Sequence, residues 1–238
     1  MIYEKKVLGS VAYVGAGTLR EEFTWCWGGL IQYTNEFCLK PGEIVNWMRG
    51  NQSGQALCRN YLAATMAGDW LLMLDTDHTF EPDLLHRMLR VFNGNDLDVL
   101  SAVYTYKTFP YNPVIYGWSE KRKGYEHIVD LKHYGPGDCV QIGCAGAGTL
   151  LIRRRVFERI ASEIGVEPFA PFGAYHTDDF SFFEKLRALG IKSWACPSIQ
   201  TYHLRVTETS MEDYAESEMV VSEWAAADVI LDQRSSVN

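Results

Sequence analysis

Apolar positions along the first hundred residues fall into short blocks whose period alternates between that of a strand and that of a helix. Val7 to Val14 reads as a first strand, broken by Gly15-Ala16-Gly17. Thr18 then stands where it can cap a helix running to about Tyr33, with Glu21 at the third position. Glu43 to Trp47 is a second short strand, and Gly50-Asn51-Gln52-Ser53-Gly54 is a polar turn. From Ser53 to Ala67 the spacing of Leu57, Leu62 and Met66 is helical. Trp70 to Leu74 is a continuous apolar run that fits a fully buried strand, and Pro82 suits the first position of a helix reaching Phe92. Asp98 to Val103 supplies a fourth strand. Strand and helix therefore alternate, which predicts an α/β domain with a mainly parallel central sheet flanked by helices.

Residues 104 to 140 interrupt this alternation with Pro110, Pro113, Gly117, Gly124, Gly135, Pro136 and Gly137, and read as an excursion of hairpins and loops. The pattern resumes with a strand over Gly143 to Arg153 and a helix over Arg154 to Ile164. Thr177 to Leu189 is a further helix with Thr177 as its N-cap and Gly190 as its stop. Ile191 to Ala195 and Ile199 to His203 complete the sheet. Beyond Val206, the spaced Met211, Tyr214, Val220, Val221 and Trp224 predict an acidic helix that packs on the body or on a second copy of the chain. The chain thus divides at residue 205 into a main domain and an acidic C-terminal extension, 206–238.

Composition changes this picture little. With 238 residues, 47% of them hydrophobic, the chain can bury a large core. No apolar stretch approaches the roughly 20 residues that span a bilayer, and the first residues lack a signal-peptide pattern, so a cytoplasmic protein is expected. Six cysteines lie scattered without a Cys-x-x-Cys pair and read as buried free thiols. The net charge is −8, but eight acidic residues between 207 and 238 stand against Arg234 alone, leaving the main body near neutral. Overall acidity therefore does not exclude a polyanionic partner.

The candidate chemistry starts at the end of the Trp70–Leu74 run. Asp75 and Asp77 follow at period two, on one side of the backbone as it leaves the sheet, and two carboxylates at such an edge suit a divalent cation. A solvated turn with a capping aspartate would look the same. Asp178-Asp179 open a later helix, where they either complement its dipole or supply a general base. His203 stands just past the last expected strand, as a structural imidazole or as a ligand.

Taken in order, Arg59-Asn60, Asp75-Thr76-Asp77, Gly146-Ala147-Gly148 with Leu150-Leu151-Ile152-Arg153, Asp178-Asp179 eleven residues before Gly190, and His203 resemble a nucleotide-sugar glycosyltransferase of the GT-A fold. The resemblance covers roughly residues 7 to 205, and is closest to small transferases of bacteriophages and bacteria. It implies Mn²⁺ or Mg²⁺ bound by Asp75, Asp77 and His203, with Asp77 as the foremost ligand. It implies a nucleotide-sugar donor, UDP-sugar foremost, in a pocket lined by Tyr13, Val14, Gly15, Arg59 and Asp75. It implies Asp179 as the catalytic base in an inverting member, with Asp178 in place of the usual glutamate, so that either of the pair is a candidate. The acidic residue common after the second strand is absent, since Val45-Asn46-Trp47-Met48-Arg49 stands there.

The acceptor stays open. Tyr104, Tyr106, Phe109, Tyr111, Tyr116, Trp118, Tyr125 and Tyr134 are interleaved with Lys107, Lys121, Arg122, Lys123 and Lys132, a mixture that suits a glycan, a protein or a modified base such as that of hydroxymethylated DNA. Arg153-Arg154-Arg155 would extend a basic surface only if the three side chains pointed the same way. The leading expectation is a metal-dependent hexosyl- or pentosyltransferase. The alternatives are a sugar nucleotidyltransferase, for which Gly15-Ala16-Gly17-Thr18-Leu19-Arg20 is a weak phosphate loop, and a non-catalytic nucleotide-sugar-binding module.

Overall fold

The computed structural model describes residues 5–15, 17–174 and 177–205. The chain divides into two units, Met1–Leu204 and Arg205–Asn238. The expected C-terminal helix, and the second-copy contact assigned to it, lie at 206–238, outside the described residues.

The elements in chain order are β1 (Lys6–Val14), α1 (Glu21–Tyr33), β2 (Glu43–Gly50), α2 (Gln55–Thr65), β3 (Trp70–Asp75), β4 (His78–Thr79), α3 (Leu84–Gly94), β5 (Val99–Val103), β6 (Ile115–Ser119), β7 (Gly124–His127), β8 (Val140–Ile142), β9 (Cys144–Ala145), β10 (Thr149–Arg153), α4 (Arg154–Arg159), α5 (Asp178–Ala188), β11 (Ser193–Gln200) and β12 (Tyr202–His203). Single π-helical turns prolong α1 over Thr34–Cys38 and α4 over Ile160–Ile164. Seven strands form the central sheet in the order β2-β1-β3-β10-β5-β11-β8. Only β10 and β8 run against the other five, so the sheet is mainly parallel, as the strand–helix alternation predicts.

Period-two geometry sorts the strand residues onto two cores. Leu71, Met73, Leu150 and Ile152 join Cys58 and Leu62 of α2, Phe157 of α4 and Phe182 and Phe183 of α5 on one face. Leu72, Leu74, Leu100 and Leu151 join Phe23 and Leu30 of α1 and Leu84, Leu85, Met88 and Phe92 of α3 on the other. Because both faces are covered, Leu71 to Leu74 are all fully buried, which is why this strand reads as an unbroken apolar run. Each such side chain contributes about 1.5–3 kcal/mol of burial free energy.

Four local expectations are corrected. Arg20, not Thr18, is the N-cap of α1, with no side-chain cap; Glu21 and Glu22 complement the dipole there. Pro82 lies in the turn before α3, where the Leu84 amide bonds the Glu81 carbonyl at 3.1 Å, and the helix begins two residues later. The single strand expected over Gly143 to Arg153 is two strands, β9 on the small β7-β6-β9 sheet and β10 in the central sheet, parted at Gly146–Gly148. The last two expected strands are likewise redrawn: β11 runs through Pro197, where its pairing with β5 shifts because proline has no N–H to donate, and β12 leaves the central sheet to pair with β4.

All six cysteines are free thiols. Among the described residues, no helix is long and apolar enough to cross a membrane.

Candidate active site

The site gathers where β3 ends. Asp75 is the last residue of that strand, its amide bonded to the Gly148 carbonyl at 2.9 Å. Arg59, projecting from α2 and only 2% exposed, places one guanidinium nitrogen 2.7 and 2.9 Å from the two Asp75 oxygens and another against Asp178 at the start of α5. One buried cation therefore ties β3, α2 and α5 together. Burial pushes the Asp75 carboxyl above its usual range, and Arg59 offsets part of that rise. Despite burial, the two aspartates push the Arg59 pKa upward, so the guanidinium stays charged. Its neighbour Asn60 donates to Glu167 at 2.9 Å and accepts the Phe169 amide at 2.8 Å, pinning the segment that leads to α5.

Asp77 lies past the strand end, in the turn between β3 and β4. The two-residue ladder β4–β12 sets His203 opposite His78, and the Leu204 amide bonds the Asp77 carbonyl at 2.7 Å. A pairing between residues 125 positions apart in the chain thus delivers the late histidine to the aspartate. Ligand atoms of Asp77, His78 and His203 lie within 4.8 Å of one another. His203 Nδ1–H donates to the Thr105 carbonyl at 2.6 Å, which leaves Nε2 with its lone pair, the orientation that metal-ligating histidines adopt. Burial and the neighbouring His78 lower its pKa, which favours the neutral ligand form.

His78 is fully buried, edge-on to Tyr104 with ring centroids 4.5 Å apart and 4.2 Å from His203. Both of its ring nitrogens lack a hydrogen-bond partner. Nδ1 is 3.1 Å from an Asp77 oxygen, near enough for attraction but poorly aligned for a hydrogen bond. An orphaned, buried imidazole next to a carboxylate and a pre-oriented second imidazole fits a divalent cation. The Asp77 carboxyl is held below its usual range by His78 and by Lys107, whose ammonium is 2.6 Å from its second oxygen.

The strand break at Gly146–Gly148 makes room for these rings. A Cβ on Gly148 would sit 2.5 Å from His78 Cε1 and 2.9 Å from the Tyr104 hydroxyl, and one on Gly146 would collide with the same hydroxyl. That hydroxyl accepts the Gly148 amide at 3.1 Å, and burial raises its pKa, keeping the phenol neutral.

Asp178 is spent on Arg59, whereas the Asp179 carboxylate accepts the Phe180 amide at 2.8 Å and forms no ion pair among the described residues. At the end of β1, Val14 is buried and Tyr13 is half-buried, edge-on to Phe23 and Trp27 at 5.6 and 5.0 Å, with the Arg49 guanidinium 6.0 Å from its ring. Gly15 passes so close to Thr76 that a Cβ would meet its hydroxyl at 2.7 Å. The structure therefore groups Asp77 with His203, sets Asp75 and Arg59 in the adjoining ion pair with Asp178, and aligns Tyr13, Val14 and Gly15 beside the β3 edge through the pairing of Val14 with Asp75.

The model of glycosyl transferase family 2 matches residues 32–161, more than half of the chain. The chain belongs to glycosyl transferase family 2. A search of curated proteins finds no match. Among solved structures, A197 from STIV superposes with a TM-score of 0.51 at 16% identity, over 83% of this chain and 86% of that one. GalNAc-T7, crystallised with UDP, GalNAc and Mn²⁺, gives 0.55 at 13% identity, over 84% of this chain and 43% of that one. These likenesses establish the GT-A fold, and the family makes this protein a glycosyltransferase.

For this glycosyltransferase, sequence reasoning passed over His78 and placed Tyr104 and Lys107 only in the acceptor-facing excursion, not beside Asp77. His78 had a signal, its adjacency to Asp77, but period-two counting puts it on the face away from the aspartates. Lys107 had none, being one of several lysines in the excursion. The Arg153-Arg154-Arg155 run is dispersed: Arg153 bonds the Leu97 carbonyl, Arg154 the Gly68 and Met66 carbonyls, and Arg155 pairs with Asp98.

Proposed function

We propose that the protein transfers a sugar from a UDP-sugar to an acceptor hydroxyl, with a divalent ion held by Asp77, His203 and His78 and with Asp179 as base. The observation that carries this reading is the Asp77–His78–His203 cluster at the edge of β3, two residues beyond Asp75, whose partner Arg59 also binds Asp178, the neighbour of Asp179. Two imidazoles and one carboxylate suit Mn²⁺ better than Mg²⁺, which prefers an all-oxygen shell. UDP and Mn²⁺ in the GalNAc-T7 structure support the same choice. When bound, the ion would supply positive charge to the departing diphosphate.

The protein's own groups carry the remaining work. Arg59 pairs with Asp178 and fixes the start of α5, which leaves Asp179 as the carboxylate of the pair that would act as base. Its carboxylate takes the acceptor hydroxyl proton while that oxygen bonds the donor's anomeric carbon and the bond to the diphosphate breaks, a direct displacement that inverts the centre. Tyr13, with the Arg49 guanidinium 6.0 Å from its ring, would offer an aromatic group to a nucleobase.

Charge pairing favours a neutral glycan acceptor over DNA. Arg122 pairs with Glu126, Lys123 with Glu120 and Lys107 with Asp77, so three of the excursion's five basic side chains already face an acid, which reduces the charge offered to a phosphate backbone. Phe109, 84% exposed, and the partly exposed Tyr106 and Tyr111 present aromatic faces suited to sugar rings.

The test is donor hydrolysis across UDP- and GDP-sugars with Mn²⁺, reading nucleoside diphosphate with and without EDTA. EDTA-sensitive release of UDP from one sugar is expected. Release of pyrophosphate, or release indifferent to EDTA, would overturn the reading.

A further inference from the structure

Lys107 has no role in holding the ion or moving the proton, yet its ammonium is 2.6 Å from the second oxygen of Asp77, the residue placed foremost among the metal ligands. The segment that carries it is a small closed turn. The Tyr106 amide bonds the Asn112 carbonyl at 3.1 Å, the Tyr111 amide bonds the Thr108 carbonyl at 2.9 Å, and Thr105 bridges to Pro113. The base of the turn is fixed to the site itself, because the Thr105 carbonyl accepts His203 Nδ1–H. Lys107 is thus held at the rim by its backbone, while its long side chain, 38% exposed, is free to choose a partner.

A divalent ion and an ammonium cannot share one carboxylate without repelling each other. Two oxygens bound to the same Mn²⁺ or Mg²⁺ lie no more than about 4.2 Å apart, twice the metal–oxygen distance. A donor diphosphate held at Asp77 through an ion would therefore bring its own oxygens within a short swing of Lys107 Nζ.

We propose that Lys107 is an exchanged counter-ion of the donor site: it neutralises Asp77 when no metal is bound, and pairs with the donor's diphosphate once the metal has taken Asp77. This rests on the metal reading given above and assigns a donor-binding role to the excursion, which the sequence pattern marks only as a loop. Asp77 thereby avoids standing uncompensated beside the buried His78, and the two positive charges meet the diphosphate from different sides.

The test is calorimetry on the full chain, wild type against Lys107→Met and Lys107→Arg, with Mn²⁺ alone and then with UDP at saturating Mn²⁺. In Lys107→Met, Mn²⁺ alone should bind on the order of fivefold tighter, the scale of removing a half-exposed ion pair, and UDP with Mn²⁺ should bind about tenfold weaker. Lys107→Arg, which keeps the charge, should lie near the wild type in both. Mn²⁺ affinity unchanged in Lys107→Met overturns the competition, and unchanged UDP affinity overturns the pairing with diphosphate. If the wild type binds neither Mn²⁺ nor UDP with Mn²⁺, the metal reading itself fails and this proposal with it, an outcome distinct from equal binding by wild type and variant.

Discussion

Replacing Arg59 by methionine isolates the buried bridge on which the arrangement of the site depends. The side chain is 2% exposed and serves two carboxylates, Asp75 and Asp178, which are themselves 17% and 14% exposed. Methionine fills similar space but leaves both acids without their cation. Removing one partner of a buried ion pair costs about 3–5 kcal/mol. Here two acids are stranded, but each keeps some access to water, so about 4 kcal/mol is expected at pH 7. The deficit should depend on pH in a definite direction. Burial already raises the folded Asp75 pKa, and loss of Arg59 removes the largest opposing influence, so it rises further. Below the unfolded carboxylate value of about 3.9 the group is protonated in both states and contributes nothing to the deficit. As pH rises above that value the folded state resists ionisation, and the deficit grows by up to about 1.4 kcal/mol per unit until the folded pKa is passed. Urea unfolding followed by tryptophan fluorescence at pH 5 and pH 7 measures both quantities. Arg59→Met combined with Asp75→Asn and Asp178→Asn should recover much of the loss, because neutral amides tolerate the site. A deficit below about 1 kcal/mol at pH 7, or one that does not shrink at pH 5, would refute the view that this cation is a buried structural bridge.

Asp179→Asn should keep UDP and Mn²⁺ binding within a factor of about two while transfer falls by 10²-fold or more, on the order of a lost general base; full transfer by this variant would exclude Asp179 as the base. His203→Ala should weaken Mn²⁺ binding by about tenfold or more in calorimetry, and an unchanged dissociation constant would remove it from the site. Gly148→Ala pushes a methyl group to 2.5 Å from His78 and 2.9 Å from the Tyr104 hydroxyl, so a loss of about 1–3 kcal/mol in urea unfolding is expected. A fully stable Gly148→Ala protein would show that these rings have room to move.

The central sheet was legible because burial on both faces writes itself directly into sequence. Trp70 to Leu74 and Val99 to Val103 are continuous apolar runs in which no polar residue beyond Ser101 is admitted, and Ser101 is accommodated by donating to a carbonyl at 2.7 Å. What failed locally were the places where a long-range partner overrides local chemistry. Thr18 has the right side chain for a cap, but the helix starts at Glu21, beyond its reach. Leu150 to Arg153 is strand-like, but Gly146-Ala147-Gly148 marks a break that sequence reasoning passed over, where Tyr104 and His78, distant in sequence, occupy the space that side chains would need. The β4–β12 ladder is only two residues long on each side, too short to leave any periodic trace.

The same limit explains why the two aspartates of Asp75-Thr76-Asp77 have different partners. Period-two counting treats them as equivalent, which holds only while the chain stays extended. The strand ends at Asp75, and the backbone turns before β4 begins at His78. Asp75 therefore keeps the environment of the sheet edge, where a carboxylate needs a buried cation, and Arg59 from the preceding helix supplies it at 2.7 Å. Asp77 is turned outward to 38% exposure, where its carboxylate meets Lys107 and lies beside His203 and beside His78, whose ring nitrogens have no hydrogen-bond partner among the described residues. One aspartate is thus committed to holding α2 and α5 against the sheet, which fixes the position of Asp179, and the other is left open to a cation. Two single variants separate the two roles. Asp75→Asn should mainly lower stability and leave Mn²⁺ affinity within about threefold, whereas Asp77→Asn should abolish Mn²⁺ binding with under about 1 kcal/mol of destabilisation, since the pair it breaks with Lys107 is half exposed. Equal losses of metal affinity in both variants would mean that the two carboxylates act as one ligand set after all.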